Sequence, residues 1–398
     1  MTASGVGASP KWGRRRMASR AADGRQAIRS APRCRPHFAL AVFVLLLSLP
    51  ALAQAPARWH FTDGAAHLLP PGEYVATFRL AVSENTRTEQ VYQAALDNTT
   101  AAIILRAAQF AAANAGQDFP VAFTLQRPAL ARLRVTVAAV PGVTVAREAV
   151  TVTQARAYGD DEQLRLLNIS RKAGYTLPAG ATGIWLGRGL YHEYWRVPDV
   201  APFIGALKAG AVAVDESGAH LRGFPATFDE LETCRVVVLA NVPAGAFTIE
   251  QRALLEDFVM AGGGLIVLGG PYAFGGGGYH ASDIFTRLLP VTPAGAHDML
   301  KHPAPQPLQA AGPATLAADL LRTRPPVVLY QHKLIPKKGA VVQVMAGGQP
   351  LIVTGAYGKG RVAAVLATPL GPDAPNAWWT SPLWPQIMVR LLAWGAGQ

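Results

Sequence analysis

Gly269-Gly270-Pro271-Tyr272-Ala273 follows a continuous apolar run, GLIVL (Gly264–Leu268), and opens a glycine-rich segment that continues to Val291. A sharp turn between a buried strand and a helix is where many α/β enzymes present a nucleophile, because nearby backbone amides can stabilise an oxyanion there. This turn has no thiol, and its one hydroxyl is the phenol of Tyr272. Open α/β sheets place ligands at the carboxyl ends of their strands. Tyr272, Phe274, Tyr279 and His280 are therefore the candidates for lining a ligand pocket, and no residue of the turn qualifies as catalytic. His280 and Asp283, with Glu193 upstream, are the residues that could do acid–base work in a hydrolase.

Other chemistry-bearing patterns carry less. Gly276-x-Gly278-x-x-Ala281 has the letters of a dinucleotide fingerprint, but that motif must follow its strand tightly and Leu268 lies well upstream, so no cofactor is expected. Adjacent residues point apart on regular structure, so His192 and Glu193 within Tyr191-His192-Glu193-Tyr194-Trp195 fit a rim or interface better than a catalytic pair. His297 and His302 lack a partner at ligand spacing, and no metal site is expected. Asp373, Trp378, Trp379 and Trp384 crowd the end of the chain, where the tryptophans fit anchors for the last helix. Cys234, the one cysteine beyond the leader, opens a strand with no glycine elbow after it and fits a core position.

The elements around the turn are legible. CRVVVLANV (Cys234–Val242) is a β-branched run short enough for a buried strand. Thr248-Ile-Glu-Gln251 has the form of a capping box, and Leu254, Leu255, Phe258 and Val259 follow at helical spacing until Gly262–Gly264 stop the helix. GIWLG (Gly183–Gly187), a helix near 199–209 and AVAVDE (Ala211–Glu216) add to an alternating series, which argues for a mostly parallel sheet covered by helices. PLIVTGAYGKGRVAAVLAT reads as an antiparallel hairpin turning at Tyr-Gly-Lys-Gly. WPQIMVRLLAW reads as a terminal helix with Ile387, Leu391 and Trp394 on one face. Thr292–Pro326, rich in Ala and Pro, reads as a long surface connection with one short helix near 314–322.

The run from Ala240 to Val291, together with HKLIPKKGA (His332–Ala340), the hairpin and the tryptophan-rich end, resembles the putative glutamine amidotransferase-like family, a branch of the class I glutamine amidotransferase fold found in bacterial envelope proteins. The resemblance spans roughly residues 180–397. It implies a flavodoxin-like α/β domain. Active members of that fold attack the glutamine amide with a cysteine on a G-x-C-x-G turn, helped by the histidine of a His-Pro-Glu element after a late strand. Here the turn reads Gly269–Ala273 without cysteine, and Arg361–Ala367 runs into Thr368-Pro369-Leu370-Gly371-Pro372. Two independent losses imply that glutaminase chemistry is absent.

The first half of the chain has another character. EYVATFRLAV (Glu73–Val82) alternates Tyr74, Ala76, Phe78 and Leu80 against Thr77 and Arg79, and DFPVAFTLQ, ARLRVTVAAV and VTVAREAVTVT repeat the pattern. Short alternating strands broken by Pro-Gly and Asp-Asn turns predict an antiparallel β-sandwich. Their order also resembles the carbohydrate-binding jelly rolls attached to secreted enzymes. Trp59, Phe61, Tyr74 and Tyr92 would be the sugar platforms, with core packing as the alternative.

The formal net charge of +12 comes mostly from the leader. Residues 1–37 hold nine basic residues against Asp23, leaving 28 basic and 24 acidic residues, or +4, in the rest, so charge gives no support to a nucleic-acid partner. An apolar run, Phe38–Ala53, ends in Ala51-Leu52-Ala53, the pattern of a cleavable signal peptide; an uncleaved anchor is the rival. The expected organisation is a signal peptide with a long basic n-region over 1–53, an antiparallel β-sandwich (jelly-roll-like) over 57–155, and a flavodoxin-like class I glutamine amidotransferase-like α/β domain over 156–398. The expected function is a non-catalytic, periplasmic or secreted protein acting in binding or assembly at the cell envelope. It would have no cofactor, no nucleic-acid partner and no membrane span once the leader is removed, and its partner would be an envelope glycan or protein. The alternatives are a secreted hydrolase acting on a glycan or peptide, and a carbohydrate-binding protein.

Overall fold

The computed structural model describes residues 56–188, 214–216, 223–369 and 376–398. The leader, the Tyr191–Trp195 cluster, the helix expected near 199–209 and Asp373 lie outside these residues. Within the described chain the architecture is mostly β-sheet with few helices and divides into two parts. No described helix is long and apolar enough to cross a membrane.

The first part is two antiparallel sheets. One has the order β1 (Arg58–Phe61), β9 (Val150–Ala157), β3 (Gly72–Val82) and β6 (Gln117–Leu125), with β8 (Val145–Arg147) also on β3; the other has the order β2 (Ala66–Leu69), β7 (Ala129–Val137), β4 (Gln90–Leu96) and β5 (Ala102–Arg106). Period-two alternation decides the packing. Tyr74, Ala76, Phe78 and Leu80 of β3 meet Val91, Ala94 and Leu96 of β4 and Leu133 of β7 in one shared core. Phe61, Tyr74 and Tyr92 belong to that core at 1% exposure or less, and half-buried Trp59 leans on Tyr74 at 5.9 Å, so these four aromatics form no exposed platform.

The second part is built on a ten-stranded sheet. Its parallel half runs β11 (Val214–Glu216), β10 (Gly183–Arg188), β12 (Cys234–Ala240), β13 (Gly264–Leu268) and β20 (Gly360–Val365). From β20 it turns antiparallel through β19 (Gln349–Tyr357), β18 (Val341–Ala346), β15 (Met299–Ala310) and β16 (Val327–His332) to β21 (Ala367–Thr368). Because β21 follows β20 directly in the chain, this half curls back toward the parallel strands. A two-stranded ribbon, β14 (Val291–Thr292) with β17 (Ile335–Pro336), lies beside it.

Helices cover both faces. On one lie α1 (Asp160–Leu166), α2 (Phe228–Leu231), α3 (Ile249–Met260) and α4 (Asp283–Leu288), and on the other α5 (Leu383–Gly395) packs Ile387, Met388 and Leu391 with Trp378 and Trp384. The cap of α3 is the one its sequence spells. Thr248 Oγ1 accepts from the Gln251 amide at 3.2 Å and Gln251 Oε1 accepts from the Thr248 amide at 3.0 Å, an arrangement that stabilises a helix by about 1 kcal/mol. Cys234 is buried at the start of β12.

The connection expected over Thr292–Pro326 is different. Met299–Ala310 is a twelve-residue strand whose register breaks between Lys301 and Gln306, where Pro303 and Pro305 stand. Proline cannot donate to a ladder, so a strand interrupted this way has the composition of a loop. Residues 314–322 form successive turns rather than a helix.

The parts are joined at α1. Asp160 accepts from Ser282 Oγ, from the Ile284 amide at 3.2 Å and from Arg252, which pins the segment after β9 to α3 and α4. Arg127, in the β6–β7 turn, pairs with Glu250 of α3.

Candidate functional site

The turn after β13 sits at the carboxyl edge of the parallel strands, between Asn241 at the end of β12 and Ala367 of β21. A Cβ on Gly269 would lie 2.5 Å from the Ala367 carbonyl oxygen, and one on Gly270 would lie 2.3 Å from Asn241 Oδ1. Glycine is needed here for close approach, and the same holds in the loop that follows, where Cβ atoms on Gly276 and Gly277 would strike the carbonyls of Pro271 and Tyr272.

Internal partners occupy the amides of the turn. Gly269 donates to Val365 O at 2.8 Å, Gly270 to His332 Nε2 at 3.3 Å, Tyr272 to Asn241 Oδ1 at 2.7 Å, and Gly275 to Asp298 Oδ2 at 2.8 Å. His332 Nδ1 lies 2.9 Å from Asp298 Oδ1, with both side chains 2% exposed or less. Since Nε2 accepts from Gly270, the ring proton belongs on Nδ1, which donates to Asp298. Both ring nitrogens are thus committed. An oxyanion or phosphate would have to displace these bonds to reach the amides.

Strain marks the same place. Asn241 (φ 53°) and Phe274 (φ 49°) are held in the left-handed region, which is costly for a phenylalanine. Hydrogen bonds on both sides and the Phe274 ring against His332 at 4.9 Å hold the backbone there. Two side-chain atoms nearby, Asn241 Nδ2 and Thr368 Oγ1, are buried without a hydrogen-bond partner.

The four pocket candidates are placed unequally. Phe274 and Tyr279 are core residues, the latter stacked on Phe285 at 4.2 Å and donating to Val242 O at 2.7 Å, with burial pushing its phenol well above the ordinary range. Tyr272 is half-buried and His280 is exposed, so these two keep access to solvent. Asp283 is spent on the Asp161 amide at 3.2 Å, and Glu193 lies outside the described residues. Sequence reasoning missed Asp298 and His332, which come from a loop and from the end of β16 and meet only in three dimensions. Their signal was weak, since Asp298 stood in an apparent surface connection and His332 led a run notable mainly for its glycine and proline.

A second ionic cluster lies behind α3. Glu256 accepts from Arg287 Nε at 2.9 Å, Arg171 Nη2 at 2.8 Å and the Tyr357 hydroxyl at 2.6 Å. Burial pushes its carboxyl up, yet the bonds from Arg287, Tyr357 and Arg171 outweigh that and hold it below the ordinary carboxylate value. Every member has a partner, which is the pattern of a structural network. Among the described residues no group of three His, Cys, Asp or Glu could hold a metal ion.

Residues 194–388 match the family described as putative glutamine amidotransferase. Asn241, the elbow, Asp298, His332 and Thr368 all fall inside this glutamine amidotransferase-like stretch. Among solved structures the chain is similar to a cytoplasmic protein of Salmonella typhimurium, with 18% identity over 54% of this chain and 98% of that one and a TM-score of 0.47. It is also similar to a ThuA-like protein of Parabacteroides merdae, with 14% identity over 54% and 89% of the two chains and a TM-score of 0.39. A β-galactosidase of Bacillus circulans sp. alkalophilus shows 12% identity over 55% and 31%, with a TM-score of 0.37. No curated protein matches the chain in sequence.

Proposed function

We propose that the glutamine amidotransferase-like part is a flavodoxin-like class I amidotransferase scaffold without glutaminase activity, serving an exported protein in binding or assembly at the cell envelope. The observation that carries this reading is the elbow. It has no thiol, and the amides of Gly269, Gly270, Tyr272 and Gly275 are bonded to the protein itself. An oxyanion hole needs donors waiting unpaired at the reacting centre, and these are engaged. The surface left at the sheet edge, with Tyr272 and His280, is where a partner would be met. Export rests on the leader pattern, and the jelly-roll reading of the first part rests on its two antiparallel sheets.

Two measurements test the reading together. The purified protein should release no ammonia from glutamine, and release abolished by Tyr272→Phe would overturn it. In a Cys234→Ser background, Tyr272→Cys should give a thiol alkylated with an apparent pKa near the ordinary value of about 8.5, because both nitrogens of His332 are occupied. A value below about 7 would mean that His332 turns toward the elbow as a base.

A further inference from the structure

The segment that leaves β16 presents a surface that the elbow does not use. Lys333, Ile335, Lys338 and Val341 stand in solvent along the path through β17 into β18, and Ile335, 74% exposed, is the most exposed large apolar residue among those described. Met299, opposite His332 in the β15–β16 ladder, is exposed as well. The backbone that carries these side chains is fixed. The Lys333 amide donates to Asp298 O at 2.7 Å, the Lys337 amide to Pro290 O at 2.9 Å, and the Ala340 amide closes a turn on Lys337 O at 3.0 Å. Leu334 is buried in the core, and Lys337 Nζ donates to the carbonyls of Thr286 and Arg287 at the end of α4. The inward residues thus anchor the segment and leave Ile335 and Lys338 outside.

Charge sets this surface apart from the rest of the molecule, where arginines are mostly paired with carboxylates. From Ile284 to Gln398 the only acidic residues in the sequence are Asp298, Asp319 and Asp373. Asp298 is buried against His332, Asp319 pairs with Arg390, and Asp373 lies outside the described residues. Lys333 and Lys338 have no carboxylate partner among the described residues, and neither has Lys301, whose ammonium lies 5.6 Å from the centre of the Tyr330 ring. The patch is therefore cationic, uncompensated and apolar at its most exposed point.

We propose that this patch docks the protein on an anionic lipid surface. Aliphatic side chains set among lysines suit the boundary between headgroups and acyl chains, where Ile335 and Val341 insert and the ammoniums of Lys333 and Lys338 reach lipid phosphates. Long lysine stems let the charge stay at headgroup level while the apolar groups go deeper. A protein partner fits less well, because protein interfaces are enriched in aromatic residues and arginine and depleted of lysine. The inference goes beyond the reading of the elbow, and its test involves no glutaminase chemistry, so either can fail alone.

The basic, apolar leader would bind vesicles by itself, so the test uses Pro56–Gln398, which forms one compact unit apart from Met1–Ala55. Sedimentation with vesicles of phosphatidylglycerol and phosphatidylcholine should show saturable binding, and vesicles of phosphatidylcholine alone should show far less. Lys333→Gln combined with Lys338→Gln should weaken binding about thirtyfold, and Ile335→Ser about tenfold. Thermal unfolding should be unchanged in both, because these side chains stand in solvent. The inference is overturned by no binding to anionic vesicles at millimolar lipid, by equal binding to neutral ones, or by binding that the variants leave unchanged. Binding to dextran sulfate without binding to the vesicles would also overturn it, since the partner would then be a soluble polyanion.

Discussion

The elbow after β13 and the shared core of the double sheet are both places where a sequence reader looks for function, and they differ in how their polar groups are partnered. At the elbow, the amides of Gly269, Gly270, Tyr272 and Gly275 are bonded to Val365 O, His332, Asn241 and Asp298, and His332 to Asp298, behind a surface that shows Tyr272 and His280. In the double sheet, the Tyr74 hydroxyl donates to Pro70 O and accepts from Gln154, while the Tyr92 hydroxyl makes no bond to the protein yet is not sealed from solvent. The family match points to the first place, and buried side-chain atoms without a hydrogen-bond partner, Asn241 Nδ2 and Thr368 Oγ1, lie there too. A resemblance locates a scaffold, and unsatisfied chemistry locates where a ligand would gain by entering.

Substitutions can break or sharpen this contrast. The largest effect is expected at His332→Ala, which leaves Asp298 as a buried carboxylate without its ring partner and takes the acceptor from Gly270. A loss of about 3–5 kcal/mol, read as a fall in the denaturant midpoint, is the expected outcome. A loss below about 1 kcal/mol would mean that the elbow is not held by its own bonds, and the contrast would collapse. Gly270→Ala should cost less, about 1–3 kcal/mol, because its Cβ would meet Asn241 Oδ1 at 2.3 Å and Asn241 cannot retreat without releasing the Tyr272 amide. A variant as stable as the parent would show that Asn241 has room to move. The smallest effect is expected at Tyr92→Phe, where no bond is lost. Thermal unfolding should place it within about 0.5 kcal/mol of the parent, or slightly above it. Clear destabilisation would reveal an ordered partner for the hydroxyl.

Much of the fold was legible because its signals are local. Thr248-Ile-Glu-Gln251 announces the start of α3, Tyr357-Gly-Lys-Gly360 turns a hairpin, and the alternation of Tyr74, Ala76, Phe78 and Leu80 fixes which face of β3 is inside. The strand Met299–Ala310 was hidden by its prolines, which break the ladder where they stand and leave it intact at Leu300 and Leu308. The elbow was placed correctly, but its supports were not visible. Asp298 and His332 are 34 residues apart, and nothing in either segment announces that one carboxylate will hold both a ring nitrogen and the amide of Gly275. Among the aromatics of the first part, Tyr92 looked like its neighbours. Only the three-dimensional arrangement shows that its hydroxyl differs from that of Tyr74.

The carboxylate of Asp160 has a mechanical meaning. β9 ends at Ala157, and three residues later that carboxylate is clasped by Ser282, Ile284 and Arg252. A loose tether would let the two halves swing independently, but this splice leaves almost no slack at the hinge position, and Arg127 with Glu250 braces a second point. The double sheet therefore keeps a constant heading with respect to the parallel strands. Whatever docks at one end of the molecule is presented to its surroundings at a bearing set by the other.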